Sequence, residues 1–472
     1  MSNIQRTIIG LSAVGLIVLL LNMFGNRPSA LAYNRVGVDD STILSPYESQ
    51  AERGWHNPRL EAVNRKLEAK LWGKPGPVLE PCWSTGLTKQ YEKTWGFVVV
   101  TCSNGPHNHR AQIADAVVVA TQLGATLVLP NVKEAQKEPN SRFDDIYNVR
   151  NFISSLEGVV RVVGQLPKDY AKGNKTITSI PLKVGREYIE QHVRPVFKRD
   201  GVVYLGNFLP AMKSEKEDPE LAAIRCLVMH KALEFVILIQ KLGNRLLNRM
   251  REAAPKSAGN RFVAIDLQVD LLRHKTCNAT IAKKKRCLEP TEVGQFLKKL
   301  GYPTETALYL TQSRWEPILD SLQQMYPNVH TKEYSMPFNE ENQYLFSGKT
   351  QFEQAVDFYI CSWSDVFVPT VPGVFYAHVS GERITEGLNH ILVPALKNKP
   401  GSTKLQVSGA ISPYVEKKSH PVYTCYCEPP SKAAAKRSQG PFALSEATVS
   451  KLSTSAGKRE GRSKKSDKDV VL

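Results

Sequence analysis

Alternation of apolar runs with amphipathic stretches runs through most of the chain. Gly96-Phe97-Val98-Val99-Val100-Thr101 reads as a buried strand, and a polar turn from Ser103 to Arg110 follows it. Ile113, Ala116, Val117, Ala120 and Leu123 then recur at helical spacing until Gly124 stops them, and Thr126-Leu127-Val128-Leu129-Pro130 is the next strand. The second half repeats the scheme. It predicts a long helix from about Ala222 to Met250, a strand at Phe262–Leu267 and a helix over Glu292–Leu300. A strand at Ala307–Thr311, helices at Pro317–Met325 and Gln351–Tyr359, a strand at Val366–Val368 and a helix after Pro372-Gly373 complete it. Strands alternating with helices specify a parallel-sheet α/β protein. Two such sets predict two Rossmann-like domains facing a cleft, with ligands at the polar loops that follow the strands.

The two ends break the pattern. Thr7 to Asn26 carries no charge and has the length to cross a bilayer as a helix. Arg6 before it and Arg27 and Arg35 after it set no strong charge bias, and a single span this close to the N-terminus reads as a signal anchor that leaves the body lumenal. Ala30-Leu31-Ala32 offers the competing reading of a cleaved signal peptide. The resulting division is a cytosolic stub at 1–6, the transmembrane anchor at 7–26 and a stem with its leading helix at 27–90. An N-terminal domain at 91–220, a C-terminal domain at 221–428 and a basic tail at 429–472 follow. The leading helix starts at Asn57-Pro58 and aligns Leu60, Val63, Leu67 and Leu71 on one face. The tail is rich in Ser, Lys, Ala and Gly and reads as disordered.

Charge and cysteines narrow the class. The chain has a formal net charge of +17, which suits an acidic ligand such as a nucleotide phosphate or a uronic-acid polymer. Zinc-finger, RNP and basic-zipper patterns are lacking, so nucleic acid is not the expected partner. The eight cysteines form no paired CxxC motifs, and no metal site is expected. Cys425 and Cys427 make a lone CxC, a weak metal signal, while Cys277 and Cys287 bracket a Lys-rich loop that a disulfide would close in an oxidising lumen. Asn174 and Asn278 each begin an N-glycosylation sequon.

Asn104-Gly105-Pro106-His107-Asn108-His109-Arg110, with Ile113-Ala114-Asp115-Ala116-Val117-Val118-Val119-Ala120, resembles the first signature of the plant O-fucosyltransferase family. Phe143-Asp144-Asp145-Ile146-Tyr147 resembles the segment after it, and Ser364-Asp365-Val366-Phe367-Val368-Pro369 the C-terminal nucleotide-site motif. Thr311-Gln312-Ser313-Arg314-Trp315 and Asp357-Phe358-Tyr359-Ile360-Cys361 are similar to its mannan-synthesis-related and pectic-arabinogalactan-synthesis-related subgroup. The resemblance implies a glycosyltransferase B fold on a single-pass type II protein of the Golgi membrane. It implies inverting transfer from GDP-fucose or another GDP-sugar to a cell-wall polysaccharide, without a cofactor or metal. Carried over by position, it makes Arg110, Asp266 and Gln268 the catalytic candidates. Asn104, Gly105, His109, Arg314, Asp365, Gly373, Val374 and Phe375 become the nucleotide-sugar-binding candidates.

One departure bears on activity. Where the family has a strand ending in His-Leu-Arg, this chain has Asp266-Leu267-Gln268. Gln268 donates hydrogen bonds but brings no charge to a diphosphate, and Asp266 adds a negative one. An alternative reading therefore stands beside the enzyme: a weak or inactive relative that binds and supports a polysaccharide synthase. A third is a protein that holds acidic polymers through its basic tail.

Overall fold

The computed structural model describes residues 68–83, 94–132, 142–171, 177–211, 218–269, 272, 288–336, 351–398 and 405–429. The anchor at 7–26, most of the stem, Asn174, Asn278, Cys277, Cys287 and the basic tail lie outside the described residues. Among the described residues no helix is long and apolar enough to cross a membrane.

Strand β1 (Phe97–Cys102), helix α1 (Pro106–Leu123) and strand β2 (Thr126–Val128) form the expected unit. Strands β3 (Val162–Val163), β4 (Ile177–Pro181) and β5 (Val202–Leu209) join them in a parallel sheet of order β3-β2-β1-β5-β4, with Asn131–Val132 pairing beside β1. Helix α1 begins earlier than its apolar pattern, because Pro106 is suited to the first helical position. His107, Asn108, His109 and Arg110 therefore lie in the first turns of α1 and not in a turn before it. At the other end Gly124 takes the left-handed conformation at φ 66° and caps the last carbonyls.

Helices α2 (Pro219–Leu227) and α3 (Ile237–Ala253) lead to β6 (Phe262–Asp266), α4 (Pro290–Leu300), β7 (Ala307–Leu310) and β8 (Val329–His330). Helix α5 (Gln351–Trp363), β9 (Val366–Pro369) and α6 (Val374–Thr385) complete a second parallel sheet of order β8-β7-β6-β9. An antiparallel hairpin, β10 (Leu392–Asn398) and β11 (Leu405–Ile411), was not legible in the pattern.

The single long helix expected over Ala222–Met250 is two helices. Between them the backbone pairs with another segment: Asn148 N donates to Glu234 O at 2.8 Å, and Val236 N donates to Ile146 O at 3.0 Å. Phe235 stacks on Tyr147 at 5.8 Å. These long-range bonds take the groups a continuous helix would use. Helix α2, just past the boundary drawn near residue 220, is bound to α1 by a buried Arg225–Asp115 ion pair at 2.8 Å.

Both faces of the second sheet are covered, as parallel strands require. Phe262, Ala264, Tyr309 and Phe367 join one buried cluster with Val98, Val100 and Val117 of the first sheet and α1. Val263, Ile265, Leu308 and Val368 face a second cluster that includes Leu71 and Trp72. The end of the expected stem thus packs on the body.

The CxC pair holds no metal ligands: each cysteine is in a disulfide. Cys427 joins Cys82, where Glu80–Pro81 pairs antiparallel with Tyr426–Cys427, and Cys425 joins Cys226 at the end of α2.

Candidate functional site

Each sheet has a point where neighbouring strands lead away in opposite directions, and a parallel sheet leaves a crevice there at its carboxyl edge. In the first sheet this is the end of β1, between β2 and β5. In the second it is the end of β6, between β7 and β9.

The loop after β1 is tightly shaped. Asn104 lies at φ 67° and Gly105 at φ 84°. A Cβ on Gly105 would come within 2.0 Å of Gln354 Oε1 and 3.0 Å of the His107 ring. Only glycine fits both the backbone and that approach. Asn108 Nδ2 donates to Asn104 O at 2.6 Å, and Ser103 N donates to Gln112 Oε1 at 3.0 Å, so α1 holds its own leading loop. Gln354 belongs to α5, so this contact joins the first sheet's loop to the second half.

At the end of β6 the Asp266 carboxylate accepts from Thr311 Oγ1 at 3.2 Å and from Gln268 Nε2 at 3.4 Å. Thr370 Oγ1 donates to the Asp266 carbonyl at 2.6 Å. Burial pushes the Asp266 carboxyl up to about 6, against the lowering effect of the Thr311 and Gln268 bonds. Such a group holds or gives up a proton near neutral pH. Behind it, Lys332 Nζ donates to both Asp357 oxygens at 2.7 and 2.6 Å, and Tyr309 donates to the same carboxylate at 2.8 Å. Lys332 is thereby committed. Ser313, after β7, bonds Glu353 near the start of α5.

Helix α6 starts at the carboxyl edge of β9. Gly373 and Val374 are exposed, and the first-turn N–H groups of a helix attract an anion. The His107 ring meets Phe375 edge-on at 5.8 Å, so the starts of α1 and α6 adjoin. Further along these helices Arg110 donates to Glu382 at 3.1 Å and to Met229 O at 3.1 Å, and it lies over the Phe358 ring at 4.8 Å. Burial lowers the His107 and His420 rings to about 4 and His230 to about 3, and holds His378 well below the ordinary value. The joint between the helices is therefore polar and largely uncharged apart from the Arg110–Glu382 pair.

Seven of the candidates gather along these edges: Asn104, Gly105, Asp266, Gln268, Gly373, Val374 and Phe375. Arg314 is exposed on the loop after β7. Three others are placed differently. Arg110 is buried and held by Glu382, so its charge is already matched inside the protein. His109 is fully buried, both its ring nitrogens lack a hydrogen-bond partner among the described residues, and burial lowers it to about 3; its ring packs against Tyr147. Asp365 precedes β9, at the amino end of the sheet, where its Oδ2 accepts from Phe262 N at 3.0 Å. A four-residue strand puts it roughly 13 Å from the carboxyl edge. It ties two strand starts together.

Pattern reading missed Gln354, Thr311 and Thr370. A threonine directly after each of β7 and β9 was the available signal, since ligand-edge loops begin there.

The family model for GDP-fucose protein O-fucosyltransferase matches residues 97–386. The Arabidopsis thaliana protein Mannan synthesis-related 1 is 39% identical over 76% of this chain and 84% of its own length. The Arabidopsis thaliana protein Pectic arabinogalactan synthesis-related is 27% identical over 73% of this chain and 68% of its own length. The fucosyltransferase NodZ from Bradyrhizobium aligns at 12% identity over 67% of this chain and 99% of its own, with a TM-score of 0.37.

Proposed function

Because the chain belongs to the GDP-fucose protein O-fucosyltransferase family, we propose that it is a glycosyltransferase of cell-wall polysaccharide synthesis that takes a GDP-sugar as donor. The observation that carries this reading is the adjacency of three features. They are the Asn104–Gly105 loop, the Asp266–Gln268 strand end and the exposed start of α6 at Gly373, joined by the His107–Phe375 contact and by the Thr370 bond to Asp266. The diphosphate lies against the α6 N-terminus, whose N–H groups stabilise the charge that develops on the leaving group. Asp266 takes the proton from the acceptor hydroxyl as that oxygen attacks the anomeric carbon and GDP departs with the bonding electrons, inverting the centre. The glycosyltransferase B arrangement, a Golgi membrane location with a single type II anchor, and a polysaccharide acceptor belong to the same proposal. Relatives named for mannan and pectic arabinogalactan synthesis support the acceptor class.

A second reading rests on one specific observation. Gln268 is neutral and donates back to Asp266, while Arg110 and Lys332 are both committed to carboxylates. Apart from Arg314, the edge has little cationic charge for a diphosphate, which favours a relative that binds and supports a polysaccharide synthase.

Calorimetry with GDP and GDP-fucose, on the lumenal body with its disulfides intact, tests the donor site. Micromolar GDP binding with release of GDP in the presence of acceptor supports the transferase. Binding without turnover supports the second reading, and no binding of either nucleotide overturns the donor site.

A further inference from the structure

The carboxyl edge of the second sheet bears two exposed side chains, Tyr334 and Arg314, outside the three features proposed to hold the donor. Tyr334 is 71% exposed, the highest exposure of any aromatic on this edge. Its backbone is fixed from several sides. Lys332 N donates to Gln312 O at 3.1 Å, and Glu333 N donates to Ser313 O at 3.0 Å. Met336 N bonds Lys332 O at 2.8 Å, Arg249 donates to the Ser335 carbonyl at 2.5 Å, and Lys332 is anchored on Asp357. The His330 ring braces the Tyr334 ring at 4.9 Å. A rigid mount thus presents an aromatic ring to solvent, at low conformational cost for a partner.

The Glu333-to-Ser313 bond also places Tyr334 beside the loop that carries Arg314. Arg314 is exposed and makes no ion pair or hydrogen bond among the described residues. An exposed aromatic ring and an exposed guanidinium on neighbouring segments suit one ligand chemistry. The apolar C–H face of a sugar ring lies on the phenol, and the guanidinium donors reach hydroxyl or carboxylate oxygens around the ring. The excess positive charge of the chain favours approach of an acidic chain over a basic one. The position fits as well. Strand β8 stands two strands from β6, roughly 10 Å, so a chain seated on Tyr334 runs past the transfer point and is not the sugar at it.

We infer that Tyr334 and Arg314 form a platform that binds the acceptor glycan some sugar units away from its reacting end. This rests on the proposed donor site for its direction, but the platform itself is testable apart from it. The experiment titrates the lumenal body with a mannan oligosaccharide and with an acidic pectic oligosaccharide, by calorimetry, with GDP titrated separately. Tyr334→Ala and Arg314→Ala each weaken oligosaccharide binding at least about tenfold, while Tyr334→Trp keeps it, and Tyr334→Ala leaves the melting temperature and GDP affinity unchanged. A preference for the acidic oligosaccharide that disappears in Arg314→Ala assigns Arg314 to carboxylates. Equal loss for both assigns it to hydroxyls, and either outcome supports the platform. Unchanged oligosaccharide affinity in Tyr334→Ala, or no binding of either oligosaccharide by the unaltered protein, overturns the inference whatever GDP does. Loss of GDP binding alone overturns only the donor site.

Discussion

Arg110 and Glu382, 272 residues apart, meet at 3.1 Å and tie α1 to α6, the two helices whose first turns adjoin at the candidate site. The guanidinium is nearly buried, the carboxylate about a third exposed, and Phe358 lies under the charge. The pair acts as a brace between the helices and not as a phosphate ligand.

Removing the brace has a measurable cost. Arg110→Ala leaves Met229 O and Glu382 without their donor and removes the contact with Phe358. It is expected to lower unfolding stability by about 2–4 kcal/mol. Glu382→Gln, whose carboxylate is more exposed, costs about 1 kcal/mol. Urea unfolding of the two variants checks the order as well as the size.

The edge lacks charge at Gln268, half-buried beside Asp266. Gln268→Arg supplies a forked donor at the strand end and offsets the neighbouring carboxylate. GDP affinity is expected to rise about tenfold by calorimetry. The same variant is expected to lower the Asp266 pKa, since a nearby cation favours the carboxylate. An NMR titration of the Asp266 carboxyl, compared with the starting protein, reads that shift directly.

The two disulfides act at different depths. Cys226 and Cys425 are both buried, whereas Cys82 and Cys427 are exposed. Cys226→Ser with Cys425→Ser is expected to cost about 3 kcal/mol, from loop entropy in the unfolded chain and lost packing. A mild reductant is expected to open the Cys82–Cys427 bond first. Thiol labelling with mass mapping over time shows the order.

Acid weakens the fold through its histidines. Burial lowers His107, His390 and His420 to about 4, and His109 and His230 to about 3, from an ordinary 6.5. These groups are neutral in the folded chain and protonate first in the unfolded one. Stability is therefore full above about pH 6.5 and falls as pH drops toward about pH 4. Asp266, raised to about 6, and Asp115, Asp357 and Asp365, also raised by burial, contribute with the opposite sign on the acid side, but burial lowers His330 and His378 as well as these five histidines. Melting temperatures from about pH 7.5 down to about pH 4.5 are expected to fall steadily.

Local pattern determined much of this protein. The runs at Phe97–Cys102, Phe262–Ile265 and Val366–Pro369 are β-branched or apolar throughout, and that composition is enough to make buried parallel strands. Gly124 and Pro106 set helix ends through their own backbone preferences. The loop after β1 and the strand end at Asp266 were therefore legible as ligand-edge positions. Tertiary structure decided the rest, because it depends on partners distant in the chain. The break between α2 and α3 exists because the Ile146–Asn148 backbone pairs there. Cys427 finds Cys82 across a separation of 345 residues, which no spacing rule reveals. Arg110 and Asp365 carry the right chemistry for a nucleotide. Folding buries one of them against a carboxylate partner and turns the other to the amino edge of its sheet. A side chain's type fixes what it can bind, and the packing around it fixes whether that capacity is still open.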